Sequence, residues 1–524
     1  MKLQPVTLQS FKLIHIWVGL LAGLLLFIAF FAGTITLFRD AITHWQYQQN
    51  QLLTDESLAL VPDFVDAIVA HDPVAQRGIR IALPGGHEPG LMAEWRKPDG
   101  EVGSAALNKD GSLHFDDEVI SPLSKVVDHL HRSAGIPGHE GEWIMGTAAL
   151  LYGVALVSGV MLFLPTLLRD LFSWRPDSPV RRLWLNAHAA IGTLSLPFHI
   201  VFALTGAVMC LHDPMFEIMN KVIYPDNGRQ LMMQAVLPHQ LAPDDSPATS
   251  RPTLEIVKAV QAEHPGFEPY GVMVTNPGRA DAVVSIMGDM PGILAHRVRV
   301  VVAGVSGDIM GVQMPGERPA GMAALSGFFA LHYGDYGADL MPSDGRSSGL
   351  LLMSTYCLLG LLGCVLFFSG NLLWLEARRN KRAALQARSH RLLASLTVGI
   401  CAGCCLAIAS LFALTRLEVL NNQQPLIDLL GGYWLVLALA CGWAMWRPAA
   451  LACRDLLAAS GVMCTFTVCL SLLYAAGIIG QAVELTAVDA ALLVSAIGFL
   501  LLARKVQQRA QHGVANSVWS AQPG

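Results

Sequence analysis

The sequence predicts an α-helical integral membrane protein of about eight spans, and three features carry that prediction: long apolar runs, a lopsided distribution of positive charge, and an internal repeat. Of the 524 residues, 53% are hydrophobic and only 14% are charged. A span needs about 20 predominantly apolar residues to cross roughly 30 Å of hydrocarbon. Such runs recur over residues 13–38, 143–165, 185–211, 348–374, 392–415, 428–446, 455–478 and 486–503. The net charge of −5 argues against a nucleic-acid partner. The run after Lys12 is too long for a signal-peptide core, and no small-residue cleavage site follows it, so it reads as an uncleaved anchor.

Positive charge orients the spans. The loop after the second span carries Arg169, Arg175, Arg181 and Arg182, and the loop after the fourth carries Arg378, Arg379, Lys381, Arg382, Arg388 and Arg391. The tail opens with Arg504 and Lys505. These short basic segments are expected in the cytoplasm, with both termini. The long loops 39–142 and 212–347 hold more acidic than basic residues and are expected on the periplasmic side of a bacterial inner membrane. They contain none of the ten cysteines, as an oxidising compartment would favour. Cys401, Cys404 and Cys405 read as small packing residues inside an apolar helix rather than a metal cluster. Within the long loops, Gly78 to Leu83 and Arg297 to Val302 read as strands, and Asp63 to Ala70 and Thr253 to Glu263 as short amphipathic helices. Each loop is therefore expected to form a small α+β module.

The repeat relates the first and third spans. His15, Gly19, Gly33 and Asp40 recur as His188, Gly192, Gly206 and Asp213, at 4, 18 and 25 residues from the histidine in both cases. Each module closes on a histidine motif, Leu130-His131-Arg132 and Leu331-His332-Tyr333-Gly334. Each then re-enters the membrane through a span that ends in Ser-Gly, at Ser158-Gly159 and Ser369-Gly370. Residues 1–165 and 166–376 are thus two copies of a span–module–span unit. A four-helix membrane region, 392–503, and a tail, 504–524, follow them.

Histidine is costly within a span and faces the bundle interior for a reason. Facing histidines on bundle helices can hold haem iron. His15 with His188, at the cytoplasmic edge, and His131 with His332, at the opposite edge, are the candidate pairs. His199, 11 residues after His188, can replace a member of either. His129 and His212 rank behind them. Taken singly, an interfacial histidine reads as a group bonded to a backbone carbonyl. Gly19, Gly23, Gly33, Gly192 and Gly206 read as positions where backbones or a flat cofactor approach closely. Trp17, Trp143, Trp184 and Trp374 read as interfacial anchors, and Asp335 and Asp339 as solvated loop carboxylates.

These residues together resemble the PepSY-associated transmembrane helix family: His15 with Trp17 and Gly19, Leu130-His131-Arg132, His188 with Gly192 and Thr205-Gly206, and Leu331-His332-Tyr333-Gly334. The resemblance covers about residues 1–376. It implies PepSY-like modules and a four-helix core with two b-type haems. It also implies the activity of the family's ferrisiderophore reductases, in which electrons pass from the cytoplasm to a periplasmic ferric siderophore or other iron chelate and release Fe(II) for uptake. No dinucleotide-binding fingerprint is present, so quinol or a separate reductase is the expected electron donor. Membrane lipid is the surrounding partner. Two other readings compete: a non-enzymatic membrane sensor or peptidase-regulating protein, and a transporter subunit whose last four spans conduct.

Overall fold

The computed structural model describes residues 4–47, 54–84, 90–98, 102–107, 111–115, 123–163, 180–224, 241–290, 296–334, 347–380, 382–383, 385–420, 428–480, 482–513 and 517–520. Asp335, Asp339, Arg169, Arg175 and Lys381 lie outside them. Eight helices among the described residues are long and apolar enough to cross a membrane. The chain falls into two compact units: Met1–Gln46, Leu123–His212 and Ser354–Gly524 form the first, and Tyr47–Pro122 with Asp213–Met353 form the second.

The first unit is helical. Its first span is α1 (Pro5–Thr36), followed by the short helix α2 (Arg39–Tyr47). Helix α5 (Leu123–Ser133) leads into the second span, α6 (Gly138–Phe163). The third apolar run is interrupted. It forms α7 (Val180–Leu194) and α8 (Leu196–Val222), with a break at Ser195. Pro197 supplies the cause, because its ring clashes with the preceding turn and it has no amide to donate. His188 and His199 therefore stand on successive helices rather than on one straight span. Helix α11 (Ser347–Ala377) is the fourth span, and α12 (Arg388–Leu420), α13 (Leu429–Trp446), α14 (Ala449–Ala475) and α15 (Ala487–His512) follow.

These last four helices share a core with the repeat. One apolar cluster joins Phe27, Ile28 and Ala32 of α1, Trp45 of α2 and Leu130 of α5 to Cys404 and Leu411 of α12, Tyr433 of α13 and Leu492 of α15. Polar contacts pin the same seam. The Trp434 indole donates to the Gly135 carbonyl at 3.1 Å. Arg416, wholly buried on α12, stacks over the Trp45 ring at 3.9 Å and donates to Ser471 Oγ at 2.9 Å. Asp489 of α15 faces Arg416 at 3.7 Å and accepts the Trp45 indole N–H at 2.9 Å.

A buried cation without its counter-ion costs far more than a pair costs to bury. The Asp489→Ala variant is therefore expected to lose about 3–5 kcal/mol of stability. Thermal unfolding followed by size-exclusion chromatography in detergent reads the effect, and a variant as stable as the parent would show that Arg416 does not depend on Asp489.

The second unit contains both polar modules. The first comprises α3 (Asp55–Ala59), α4 (Val61–His71) and strands β1 (Ile79–Ala82), β2 (Leu91–Arg96), β3 (Val102–Leu107) and β4 (Leu113–Phe115). The second comprises α9 (Thr253–Glu263), β5 (Glu268–Thr275), β6 (Val283–Asp289), β7 (Arg297–Ala303) and β8 (Ile309–Gln313), then α10 (Ala320–Tyr333). The two strand segments and two helices read from the sequence all form.

The modules do not stay separate as two small sheets. They share one antiparallel sheet of eight strands, ordered β4-β3-β2-β1-β5-β6-β7-β8. The seam is β1 on β5, with Ile79 opposite Val274 and Ile81 opposite Val272. Each of these strands would otherwise be an unpaired edge. Pairing them also makes the apolar face continuous, since Ile79, Ile81, Val272, Val274, Ile286 and Val300 bury one side under Phe64, Ile68, Ile256 and Val260 of the helices.

Candidate functional site

Helices α1 and α7 bring His15 and His188 together, and their ring centroids are 6.2 Å apart with the planes at 82°. His15 Nδ1 lies 2.9 Å from the Ala155 carbonyl oxygen on α6. A carbonyl only accepts, so Nδ1 carries the proton and Nε2 keeps its lone pair. The Ser369 hydroxyl on α11 donates to the Leu366 carbonyl at 2.9 Å, so it accepts from His188 Nδ1, also at 2.9 Å. His188 is therefore held in the same tautomer.

Helix geometry explains why these carbonyls are accessible. A helical side chain leans back toward the N-terminus, so the residue four positions on shields a given carbonyl. Four positions after Ala155 stands Gly159, and four after Leu366 stands Gly370. A Cβ at Gly159 would sit 2.9 Å from His15 Cε1 and 3.1 Å from its Nδ1. The same device recurs at the other end of α1. His131 Nδ1 donates to the Ala29 carbonyl at 2.8 Å, and a Cβ at Gly33, four positions on, would lie 2.6 Å from that nitrogen. Fourteen residues separate Ala29 from His15 on α1, about 21 Å of helix.

Two imidazoles at this spacing have the donor chemistry to hold one metal ion. A metal–imidazole bond is about 2 Å long and the ring centre lies roughly 1 Å beyond the nitrogen, so opposed ligands have centres about 6 Å apart. Space for a flat macrocycle between them needs helix faces without side chains. One turn after each histidine is a glycine: a Cβ at Gly19 would meet nothing within 4 Å, and one at Gly192 would touch only Leu366 at 3.6 Å. The donor set and these surfaces fit a bis-imidazole haem.

His199 is placed differently. It is fully buried on α8. The Ser195 hydroxyl donates to the Ile191 carbonyl at 2.5 Å and so accepts from His199 Nε2 at 2.8 Å. The Tyr152 hydroxyl then donates to Nδ1. Both ring nitrogens are engaged by protein groups, and the tautomer is opposite to that of His15, His131 and His188. Phe30 packs beside the pair, with Phe198, Phe202 and Phe367 around it. These rings form one aromatic cluster joining α1, α6, α8 and α11.

Of the remaining sequence candidates, His332 is buried at the end of α10 in the second unit, 5.4 Å from the Tyr333 ring. His129 rests against Ser133 of its own helix, and burial, with the Arg132 guanidinium beside it, lowers its pKa. His212 is exposed and bonds the Met209 carbonyl. Among the glycines read as close-approach positions, a Cβ at Gly33, Gly192 or Gly206 would meet a neighbouring helix, whereas one at Gly19 or Gly23 would meet nothing within 4 Å. Sequence reasoning misses Ala155 and Tyr152, and it names Ser369 only as part of the repeated Ser-Gly pair. That pair was a visible signal for Ala155 and Ser369, but only the helix contacts give it a role.

The comparisons agree with this architecture. Residues 13–377 match the family described as PepSY-associated TM region. The chain therefore belongs to the PepSY-associated transmembrane family. It is also similar to the uncharacterized protein PA4219 of Pseudomonas aeruginosa, with 28% identity over 363 residues, covering 66% of this chain and 85% of that one.

Proposed function

We propose that this protein is a haem-dependent reductase of the bacterial inner membrane, which carries electrons across the bilayer to a periplasmic ferric siderophore or other ferric chelate and so releases Fe(II). The observation that carries the reading is the His15–His188 pair, 6.2 Å between centroids, each ring held by its Nδ1 with Nε2 left as the ligand nitrogen. His15 and His188 would hold one haem iron. The repeat assigns His131 and His332 to a second. Bound haem supplies one-electron redox chemistry.

The chain's own contribution is orientation and electronics. Donation from Nδ1 to the Ala155 carbonyl and to Ser369 Oγ fixes each ring plane and raises the basicity of the ligating nitrogen. Gly159 lets the imidazole sit against the helix backbone. Tyr152, His199 and the phenylalanines around Phe30 keep water out of the middle of the bundle. Quinol or a separate reductase is the electron donor in this reading.

Purified protein reduced with dithionite is expected to show a b-type Soret and α-band at two haems per chain. Folded protein without haem absorbance would sink the proposal. The membrane orientation has its own test. Both termini are assigned to the cytoplasm and both modules to the periplasm on the Lys/Arg asymmetry. Reporter fusions at residues 100 and 280 are expected to be active only on the periplasmic side, and cytoplasmic activity at either site reverses the assignment.

A further inference from the structure

The face of the eight-stranded sheet opposite α4 and α9 carries charge that the reductase reading leaves unused, and Arg297 on it stacks over the Tyr333 ring of α10 at 4.7 Å. Along β1 and β7 the residues that alternate with the core are Arg80, Arg297 and Arg299, since Ile79, Ile81, Val298 and Val300 turn the other way. Strands β5 and β6 lie between, and the register sets Arg299 two residues along from the row of Arg80, so the two stand about 16 Å apart at the backbone. Arginine side chains reach several ångström and close much of that gap.

Tyr270 lies beneath them because β5 is irregular. Regular alternation would turn Tyr270 to the helix side with Val272 and Val274. The register slips between Pro269 and Gly271, and the slip re-aims it. Its hydroxyl then sits in the fields of Arg297, Arg80 and Arg299. Burial raises the Tyr270 pKa, and the like charge of Arg80 adds to burial in lowering that of Arg299.

The acidic neighbours do not neutralise this group. Glu94 stands opposite Arg80 in register, and Asp289 opposite Arg297. Neither forms an ion pair with Arg80 or Arg299, and those two guanidinium groups have no hydrogen-bond or ion-pair partner among the described residues. Two cations held near each other without a counter-charge favour an anion. Met273 and Met287, half-buried on the same face, add a polarizable apolar floor.

We infer that Arg80, Arg299 and Tyr270 form the docking site of an anionic ferric chelate across the seam between the two modules, an inference that rests on the reductase reading for the identity of its ligand. Arg80 comes from the first module and Arg299 and Tyr270 from the second, so the site exists only because β1 pairs with β5. An oxygen-rich chelate of high negative charge suits it, because guanidinium groups bond carboxylate or catecholate oxygens through paired donors.

Binding can be read without electron transfer by using redox-inert gallium(III). The full-length protein in detergent is titrated with the trianionic gallium complex of a hexadentate tris-catecholate chelator, and with a neutral gallium tris-hydroxamate. The trianionic complex is expected to bind at least about tenfold more tightly. The double variant Arg80→Gln/Arg299→Gln is expected to remove that preference, and Arg80→Lys/Arg299→Lys to restore part of it. Size-exclusion profiles show whether each variant is folded. Equal binding of the two complexes, displacement by inorganic phosphate at comparable concentration, or unchanged binding by a folded glutamine double variant overturns the inference. If the protein proves haem-free yet binds the trianionic complex through Arg80 and Arg299, the reductase reading falls and the docking site stands. If haem is present and charge discrimination is absent, the docking site alone falls.

Discussion

Replacing His188 by alanine is expected to halve the haem content and to stop transfer of electrons across the membrane, while the remaining haem keeps its spectrum. His188 and His15 face each other at 6.2 Å between centroids. The Ala155 carbonyl that holds His15 is about 21 Å along the bundle from the level at which Ala29 holds His131, by the rise of α1. One haem cannot bridge that interval, so the two sites should be lost independently. His332→Ala is expected to remove the other haem and to abolish reduction of periplasmic ferric chelate directly. His199→Ala is expected to retain both haems, since both of its ring nitrogens bond protein groups. Its effect should fall on stability, because the Tyr152 hydroxyl is left buried without its acceptor. Pyridine haemochrome content, normalised to protein, checks all three variants. Full haem and full ferric-reductase activity in both His188→Ala and His332→Ala would end the mechanism. Loss of haem in His199→Ala alone would keep the cofactor and discard the pairing.

The second large effect separates two glycines that the sequence makes equivalent. Gly159 and Gly370 hold the same place in the repeat, each one residue after a serine at the end of a span. Their surroundings differ. A Cβ at Gly159 would press on His15 at 2.9 Å, whereas one at Gly370 would meet His188 Cε1 at 3.6 Å, an ordinary contact. Gly159→Ala is therefore expected to displace the His15 ring from the Ala155 carbonyl and to weaken haem binding at that site about tenfold to a hundredfold, the usual cost of losing the group that orients a ligand. Gly370→Ala is expected to bind haem as the parent does. Alanine is the better helix former by up to about 1 kcal/mol, so a loss at Gly159 does not come from a weakened helix. Haem titration of the two apoproteins gives the comparison. Equal affinities would mean that the clearance at Gly159 plays no part in placing His15.

Much of this protein is legible along the chain because membrane insertion and local periodicity are one-dimensional constraints. An apolar run long enough to span hydrocarbon must be a helix, since every backbone amide needs an internal partner there. All eight runs are helical in the structure, the third as two helices broken at Ser195. The strands at Gly78 to Leu83 and Arg297 to Val302 follow from alternation, and the Thr253–Glu263 helix begins and ends at the residues read from the sequence. The repeated spacing from His15 and His188 likewise marks those residues before any contact is known.

Tertiary structure decided what those elements do to one another. Pro197 lies in plain view, yet whether an apolar run bends or breaks there depends on which helices support it. Two modules with matching strand patterns could form two small sheets. That β1 and β5 pair to make one depends on which edges meet, and pairing between strands nearly two hundred residues apart leaves no local trace. The last four helices carry no histidine between His390, at the start of α12, and His512, but they share a core with α1, α2 and α5 through Trp45 and Tyr433, with Arg416 stacked on Trp45. His199 is the clearest case. Its residue type matches that of His188, and the hydroxyls of Tyr152 and Ser195 set it apart, because a ligand nitrogen must be free on one side and the hydrogen bonds made by the ring decide whether one is.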